Sequence, residues 1–152
     1  LKTSTKRFAT KRLKQLFEKN DVLESVEFIN KVPEFKKHLE NYNNIDIALD
    51  TFPYNGVTTS FEAIWMGVPV LTMAGYNFNS RCGESINKNL NMNFLIAKNN
   101  NEYISKAVEL SSNLDKYLKL RKQVYEKSLK SPLFDAESYS KNFYKSLEEI
   151  IK

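Results

Sequence analysis

Residues 45–72 have the sequence IDIALDTFPYNGVTTSFEAIWMGVPVLT, which is typical of a strand, a loop, a helix and a second strand in succession. The mostly apolar residues 45–50 predict a buried parallel strand. The loop that follows is dense in turn formers, and a helix from Thr59 is predicted to stop at Gly67. Residues 69–72 predict the next strand. Such a unit places two parallel strands in one sheet, joined by a right-handed crossover.

The flanking sequence continues the same alternation of apolar strands and amphipathic helices. Helices are predicted at residues 5–20, from Pro33 through Tyr42, and at residues 80–90, 101–112, 114–130 and 135–151, and further strands at residues 26–29 and 94–97. Four strands in all predict an α/β fold, namely a partial doubly wound parallel sheet flanked by helices. We expect residues 1–152 to form a single domain.

Composition and charge limit the possible functions. Lys and Arg number 23 against 18 Asp and Glu, but the lysines of residues 11–37 and 116–152 alternate with acids at helical spacing, typical of solvated helix faces and not of a nucleic-acid binder. No apolar run approaches the roughly 20 residues of a membrane helix. A single Cys82 and a single His38 exclude a disulfide scaffold and a Cys/His zinc site. The absence of Asn-x-Ser/Thr sequons favours a cytoplasmic protein, and the start at Leu1 favours a fragment of a longer one.

The chemically informative segment is residues 50–62, which leaves the carboxyl end of a strand, turns at Gly56 and opens a helix. Ligands of open α/β sheets bind at the carboxyl ends of strands, and a helix N-terminus favours phosphate. Thr58 and Thr59 add two hydroxyl donors there. Glu62 lies one helical turn further, where its carboxylate could accept hydrogen bonds from a ribose diol.

A second interpretation of this segment needs no ligand. Thr59-Ser60-Phe61-Glu62 matches the Ser/Thr-x-x-Glu capping box, in which the two side chains bond the backbone of the first turn. The spacing alone leaves both roles open, and the two are compatible. Neither the dinucleotide fingerprint nor the P-loop pattern is present.

These residues resemble the O-GlcNAc transferase / SPINDLY family. The resemblance lies in DIALDTFPYNG (residues 46–56), Thr58-Thr59 and EAIWMGVPV (residues 62–70), and continues in Ser80-Arg81, Ala97-Lys98, Glu102-Tyr103 and SPLFD (residues 131–135). It implies a glycosyltransferase of the two-lobed GT-B fold that uses a nucleotide sugar without a metal. The chain would be the later part of the nucleotide-binding C-terminal lobe.

The resemblance also implies roles for four residues. By position, Thr58 and Thr59 would bind the diphosphate of the donor, Glu62 the ribose, and His38 would lie beside the uracil ring. The family often has His or Thr where this chain has Val57, so one polar contact near the phosphates is absent. No residue of this chain is expected to be catalytic.

The function implied by the resemblance is transfer of N-acetylglucosamine from UDP-N-acetylglucosamine to protein Ser or Thr. The expected partners are the nucleotide sugar and, through parts of the protein beyond this chain, a protein acceptor; neither nucleic acid nor membrane is expected. The chain alone is expected to be inactive, because the family's catalytic groups precede the segment that begins at Leu1. The alternative is a non-catalytic α/β nucleotide-sugar-binding or scaffold module, which the Val57 departure favours.

Overall fold

A computed structural model describes residues 2–29 and 32–151 of the chain. These residues form two compact units, Leu1–Pro33 and Glu34–Lys152. The first contains a single long helix, and the second contains an α/β arrangement with a parallel sheet.

The first unit is built on helix α1 (Lys2–Lys19). The ring of Phe17 meets the ring of Phe28 edge to face at 6.2 Å, and Lys14 Nζ lies 5.4 Å from the centre of the Phe28 ring. The strand predicted at residues 26–29 is wrong, because these residues lie outside any strand. Phe28 packs its side chain against Phe17 of α1. A strand also requires a neighbouring strand to pair with its backbone groups.

The second unit alternates helices and strands. Its elements are α2 (Phe35–Glu40), β1 (Ala48–Leu49), α3 (Thr58–Trp65), β2 (Val70–Met73), α4 (Cys82–Asn89), β3 (Ile96–Ala97), α5 (Asn100–Ser111), α6 (Leu114–Lys130) and α7 (Ala136–Ile151). Short 3-10 helices lie at Asn41–Asn44, Phe78–Ser80, Asn93–Leu95 and Pro132–Phe134.

The sheet of the described residues has three strands and not the four predicted, in the order β1-β2-β3. Both pairings are parallel, with Ala48 opposite Val70 and Thr72 opposite Ile96. The three predicted strands of this unit are thus confirmed in position, although β1 and β3 are shorter than their apolar runs. All four residues of β2 are buried, as expected of a central strand.

An apolar core surrounds β2, which is contacted by helices α3, α4 and α5. Its fully buried side chains include Ile64, Leu71 and Leu90, each no more than 2% exposed. Gly67 adopts φ 75°, a conformation that favours glycine, and ends α3 where the sequence predicts a stop. Within the part of the chain that is described, no helix combines the length and apolar character needed to cross a membrane.

Candidate functional site

The loop between β1 and α3 is fixed at its start by Asp50. One carboxylate oxygen, Oδ1, accepts a hydrogen bond from the Gly56 N–H at 2.7 Å, and Oδ2 accepts one from Thr72 Oγ1 at 2.7 Å. Burial raises the pKa of Asp50, although these hydrogen bonds act in the opposite direction. The Tyr103 hydroxyl donates to the Asp50 carbonyl at 2.9 Å. Strand β2, helix α5 and the loop's own Gly56 thereby hold the residue from which the loop departs.

Asn55 fixes the far end of the same loop. Its side chain is 1% exposed, and its Nδ2 donates to the Thr51 carbonyl at 2.9 Å. Its Oδ1 accepts from the Gly83 N–H at 3.2 Å, which ties the loop to α4. The next residue is Gly56, and a Cβ there would lie 2.5 Å from Thr59 Oγ1, so a larger residue would displace the Thr59 side chain. Asn55 therefore joins the end of the loop to the start of the loop and to α4.

Helix α3 begins with free backbone donors. Its first backbone hydrogen bond runs from the Phe61 N–H to the Val57 carbonyl at 3.0 Å. The N–H groups of residues 58–60 precede that bond and have no hydrogen-bond partner among the residues that the structure describes. Thr58 and Thr59 are both exposed. Free N–H groups at the positive end of a helix form an environment that suits an anion.

The capping box allowed by the spacing does not form. The residue at the N-cap is Val57, and no side chain caps the helix. The Glu62 carboxylate points instead toward α2 and the 3-10 helix that follows it, where its Oε2 accepts hydrogen bonds from Tyr42 and His38, each at 3.0 Å. Because a carboxylate only accepts, this hydrogen bond requires a proton on His38 Nε2.

The second Glu62 oxygen is open. Oε1 accepts no hydrogen bond from the residues described. It is not buried, because the one buried side-chain atom without a partner in the described part of the chain is Asn87 Oδ1. The His38 side chain is 36% exposed and that of Glu62 is 16% exposed. The pair therefore presents an acceptor and an imidazole edge at the surface, one helical turn from Thr58 and Thr59.

Tyr42 is the residue of this cluster that the sequence did not single out. It is 8% exposed, and its hydroxyl lies 3.0 Å from Glu62 Oε2 and 3.3 Å from the Thr59 carbonyl. Its ring meets that of His38 edge to face at 5.9 Å. Burial, then the hydrogen bond and charge of Glu62, raise the pKa of Tyr42 to about 12. Its spacing of four residues from His38 is the signal that could have identified it.

Two clefts flank the start of α3. One, of about 340 Å³, is lined by Tyr42, Asp50 and Thr59 among others, but not by His38, Thr58 or Glu62. The other, of about 400 Å³, is mainly apolar and has its lining from Val57, Phe61, Phe78, Arg81, Cys82, Ser85, Ile86 and Leu133. Residues 2–29 and 32–151 contain no group of three or more His, Cys, Asp or Glu side chains that could hold a metal ion.

The structure thus brings two of the four predicted residues into contact. His38 and Glu62 meet directly, although they are 24 positions apart in sequence. The Thr59 carbonyl is the second acceptor near the Tyr42 hydroxyl. Thr58 is exposed at the first turn of the same helix. His38 and Glu62 are thus in direct contact, whereas a common ligand site for all four residues stays a prediction.

Comparison with known proteins gives related sequences and structures. A protein from Hordeum vulgare named "Probable UDP-N-acetylglucosamine--peptide N-acetylglucosaminyltransferase SPINDLY" is 41% identical over 104 residues, which is 68% of this chain and 11% of the relative. A UDP-N-acetylglucosamine–peptide N-acetylglucosaminyltransferase from Caenorhabditis elegans is 34% identical over 104 residues, or 68% of this chain and 9% of the relative. The chain thus spans about a tenth of the length of these curated relatives.

A solved structure gives the same result for the fold. A mutant of the Thermobaculum terrenum O-GlcNAc transferase superimposes with a TM-score of 0.83 and 32% identity, over 91% of this chain and 27% of that chain. The sequence model of glycosyl transferase family 41 matches residues 7–143. This match covers most of the chain, and the resemblance stated from the sequence is confirmed. The chain belongs to glycosyl transferase family 41.

Proposed function

We propose that this chain binds the nucleotide-sugar donor of a protein glycosyltransferase, with UDP-N-acetylglucosamine as donor and a protein Ser or Thr hydroxyl as acceptor. The observation that carries the proposal is the open oxygen of Glu62, one helical turn from the exposed Thr58 and Thr59. The names of the Hordeum vulgare and Caenorhabditis elegans relatives, which specify UDP-N-acetylglucosamine and a peptide, support this choice of donor and acceptor.

The start of α3 would hold the diphosphate. The N–H groups of residues 58–60 and the hydroxyls of Thr58 and Thr59 are donors for its oxygens. Sugar transfer breaks the bond from the anomeric carbon to a diphosphate oxygen, and the nucleoside diphosphate leaves. A bond forms from that carbon to the acceptor oxygen, whose proton passes to a base outside this chain. Donors oriented in advance stabilise the negative charge that grows on the departing diphosphate. We assign no catalytic residue to this chain.

The nucleoside would lie along His38 and Glu62. Glu62 Oε1 would accept a hydrogen bond from a ribose hydroxyl, and a hydrogen bond to a charged oxygen is stronger than one between neutral groups. The half-exposed imidazole of His38 would lie beside the uracil ring. Because Glu62 Oε2 already has two donors, its remaining oxygen is the one left for the ligand.

The finer features of the proposal follow from the resemblance and the charge pattern. We propose that residues 1–152 belong to the nucleotide-binding C-terminal lobe of a two-lobed enzyme, as a single domain. The donor would be bound without a metal ion. The protein would act in the cytoplasm on protein acceptors, without nucleic acid or membrane as a partner.

Glu62→Gln tests the proposal. Glutamine retains an oxygen that can accept from Tyr42, but it places an amide N–H₂ at the open position, where a ribose hydroxyl needs an acceptor. We expect UDP affinity to fall by about 1 kcal/mol, or roughly fivefold, while the melting temperature barely moves. The measurement is calorimetric titration of the 152-residue chain with UDP, paired with a melting curve.

Glu126→Gln is the matched control, since this exposed residue on α6 has only a long contact of 3.8 Å with Lys122. It removes the same charge and should leave UDP affinity unchanged. Lost stability with intact UDP affinity in Glu62→Gln would show that Glu62 merely joins His38 and Tyr42, and the ribose would have to be held elsewhere.

The second candidate is a non-catalytic nucleotide-sugar-binding or scaffold module, favoured by Val57. This side chain is apolar and 45% exposed at the N-cap of α3, where the family often has a polar residue. A nucleotide-sugar-binding module would also bind UDP, so binding alone does not separate it from the enzyme. A protein that joins this chain to the rest of a family 41 enzyme separates the two candidates. Transfer of the sugar to a peptide by that protein would support the enzyme, and no transfer would favour the module.

A further inference from the structure

We propose that Tyr42 is a positioning residue for the donor site, which holds Glu62 in the orientation that presents its open oxygen to the ribose. This inference rests on the function proposed above and adds a residue to it. Tyr42 lies in the 3-10 helix Asn41–Asn44, directly after α2, whereas Glu62 lies in α3. The contact between them therefore joins two elements that are separated by strand β1.

The hydroxyl of Tyr42 is a donor with two acceptors within reach. It lies 3.0 Å from Glu62 Oε2 and 3.3 Å from the Thr59 carbonyl, and both acceptors belong to the first turns of α3. A phenol has one proton, so the shorter contact to the charged oxygen is the stronger. This contact fixes which carboxylate oxygen faces inward and which is left open.

The ring of Tyr42 contacts the second donor to the same carboxylate oxygen. It meets the imidazole of His38 edge to face, at 5.9 Å and 84°, while His38 Nε2 donates to the same Glu62 oxygen. With only 8% of its surface exposed, Tyr42 is held by its surroundings and has little freedom to move. One buried side chain thus sets the positions of both residues expected to contact the nucleoside.

The experiment compares nucleotides with and without the ribose diol. Tyr42→Phe keeps the buried ring and its contact with His38 and removes only the hydroxyl. We expect it to weaken binding of UDP about fivefold and to leave binding of 2′,3′-dideoxy-UDP unchanged, because that ligand does not use Glu62. A residue that merely stabilised the fold would change both affinities equally, and that result would overturn the inference.

Two further variants sharpen the test. Tyr117→Phe is the matched control, because Tyr117 is 6% exposed and its hydroxyl accepts from Arg121 at 3.1 Å on helix α6; it should leave both affinities unchanged. In a Glu62→Gln background, Tyr42→Phe should have no further effect on UDP binding. Additive losses in the double variant would overturn the inference, since Tyr42 would then act independently of Glu62.

The wild-type chain separates failure of this inference from failure of the proposed function. If it binds UDP no more tightly than dideoxy-UDP, the ribose contact of Glu62 itself is refuted, and the role of Tyr42 falls with it. If it prefers UDP and Tyr42→Phe retains the full preference, the proposed function survives and only the positioning role is overturned.

Discussion

Substitution of Asp50 by alanine should loosen the loop that leads into α3. The Asp50 carboxylate is the acceptor for the Gly56 N–H and for Thr72 Oγ1, both at 2.7 Å, and alanine leaves these two donors without it. Thr72 is completely buried, so water does not easily replace the lost acceptor. The change therefore affects the sheet and the start of the candidate site together.

The size of the effect follows from those two contacts. A buried polar group that loses its partner costs about 1–3 kcal/mol. Burial of the Asp50 carboxylate is itself unfavourable and raises its pKa. Removal of this carboxylate therefore offsets part of the cost. We expect the free energy of unfolding to fall by about 2–3 kcal/mol in Asp50→Ala. Asp50→Asn should lose about 1 kcal/mol or less, because its amide oxygen can accept from Gly56 and the Thr72 hydroxyl can turn to accept from its amide nitrogen.

Urea unfolding followed by circular dichroism measures these differences, and a UDP titration of each variant shows whether the loop still supports binding. Asp115→Ala is the control, because Asp115 is exposed at the start of α6, and the loss there should be about 0.5 kcal/mol or less. Equal stability of Asp50→Ala and the wild type would refute the reasoning, as would equal losses in the alanine and asparagine variants.

Two other predictions concern the donor site and the buried tyrosines. Thr59→Val retains the β-branched shape but removes a hydroxyl, and should weaken UDP binding by about 1–3 kcal/mol; unchanged affinity in both Thr58→Val and Thr59→Val, measured by titration, would exclude a diphosphate role. Burial raises the pKa of Tyr42 and of Tyr103 from 10.0 to about 12, so the folded chain retains these protons more firmly than the unfolded chain. Their contribution to stability is therefore present below pH 10 and lost as the pH rises through about 12. Tyrosinate absorbance should show that some tyrosines ionise only near pH 12, and this fraction should be smaller in Tyr42→Phe and in Tyr103→Phe. Ionisation of all tyrosines near pH 10.0 would contradict this.

The strand–helix–strand unit was predictable because its signals are local. Apolar runs gave the positions of β1 and β2, and the glycine at position 67 gave the end of α3. The lengths of the strands were not predictable, since a strand extends only as far as its neighbour pairs with it; β1 has two residues where the apolar run has six. Residues 26–29 show the same limit, because their composition suits a strand but they have no paired strand.

The candidate site was predictable only in part, for the same physical reason. Helical spacing placed the two threonines and Glu62 on one helix, but left open whether Glu62 caps the helix or faces a ligand. That choice depends on His38 and Tyr42, which lie 24 and 20 positions away in sequence and come near only when the chain has folded. The hydrogen bond from Thr72 to Asp50, 22 positions apart in sequence, was not predictable for the same reason.

The hydrogen bond from Tyr103 to the Asp50 carbonyl has a consequence for how this sequence can be shortened or vary. Tyr103 lies in α5, 53 positions after Asp50 and beyond every residue assigned to the donor. A polypeptide that ended after β3 would retain His38, Thr58, Thr59 and Glu62 and yet lose one of the supports of the loop between them. Natural selection for donor binding should therefore extend to α5, and variation at position 103 should be constrained as though it lay in the site itself.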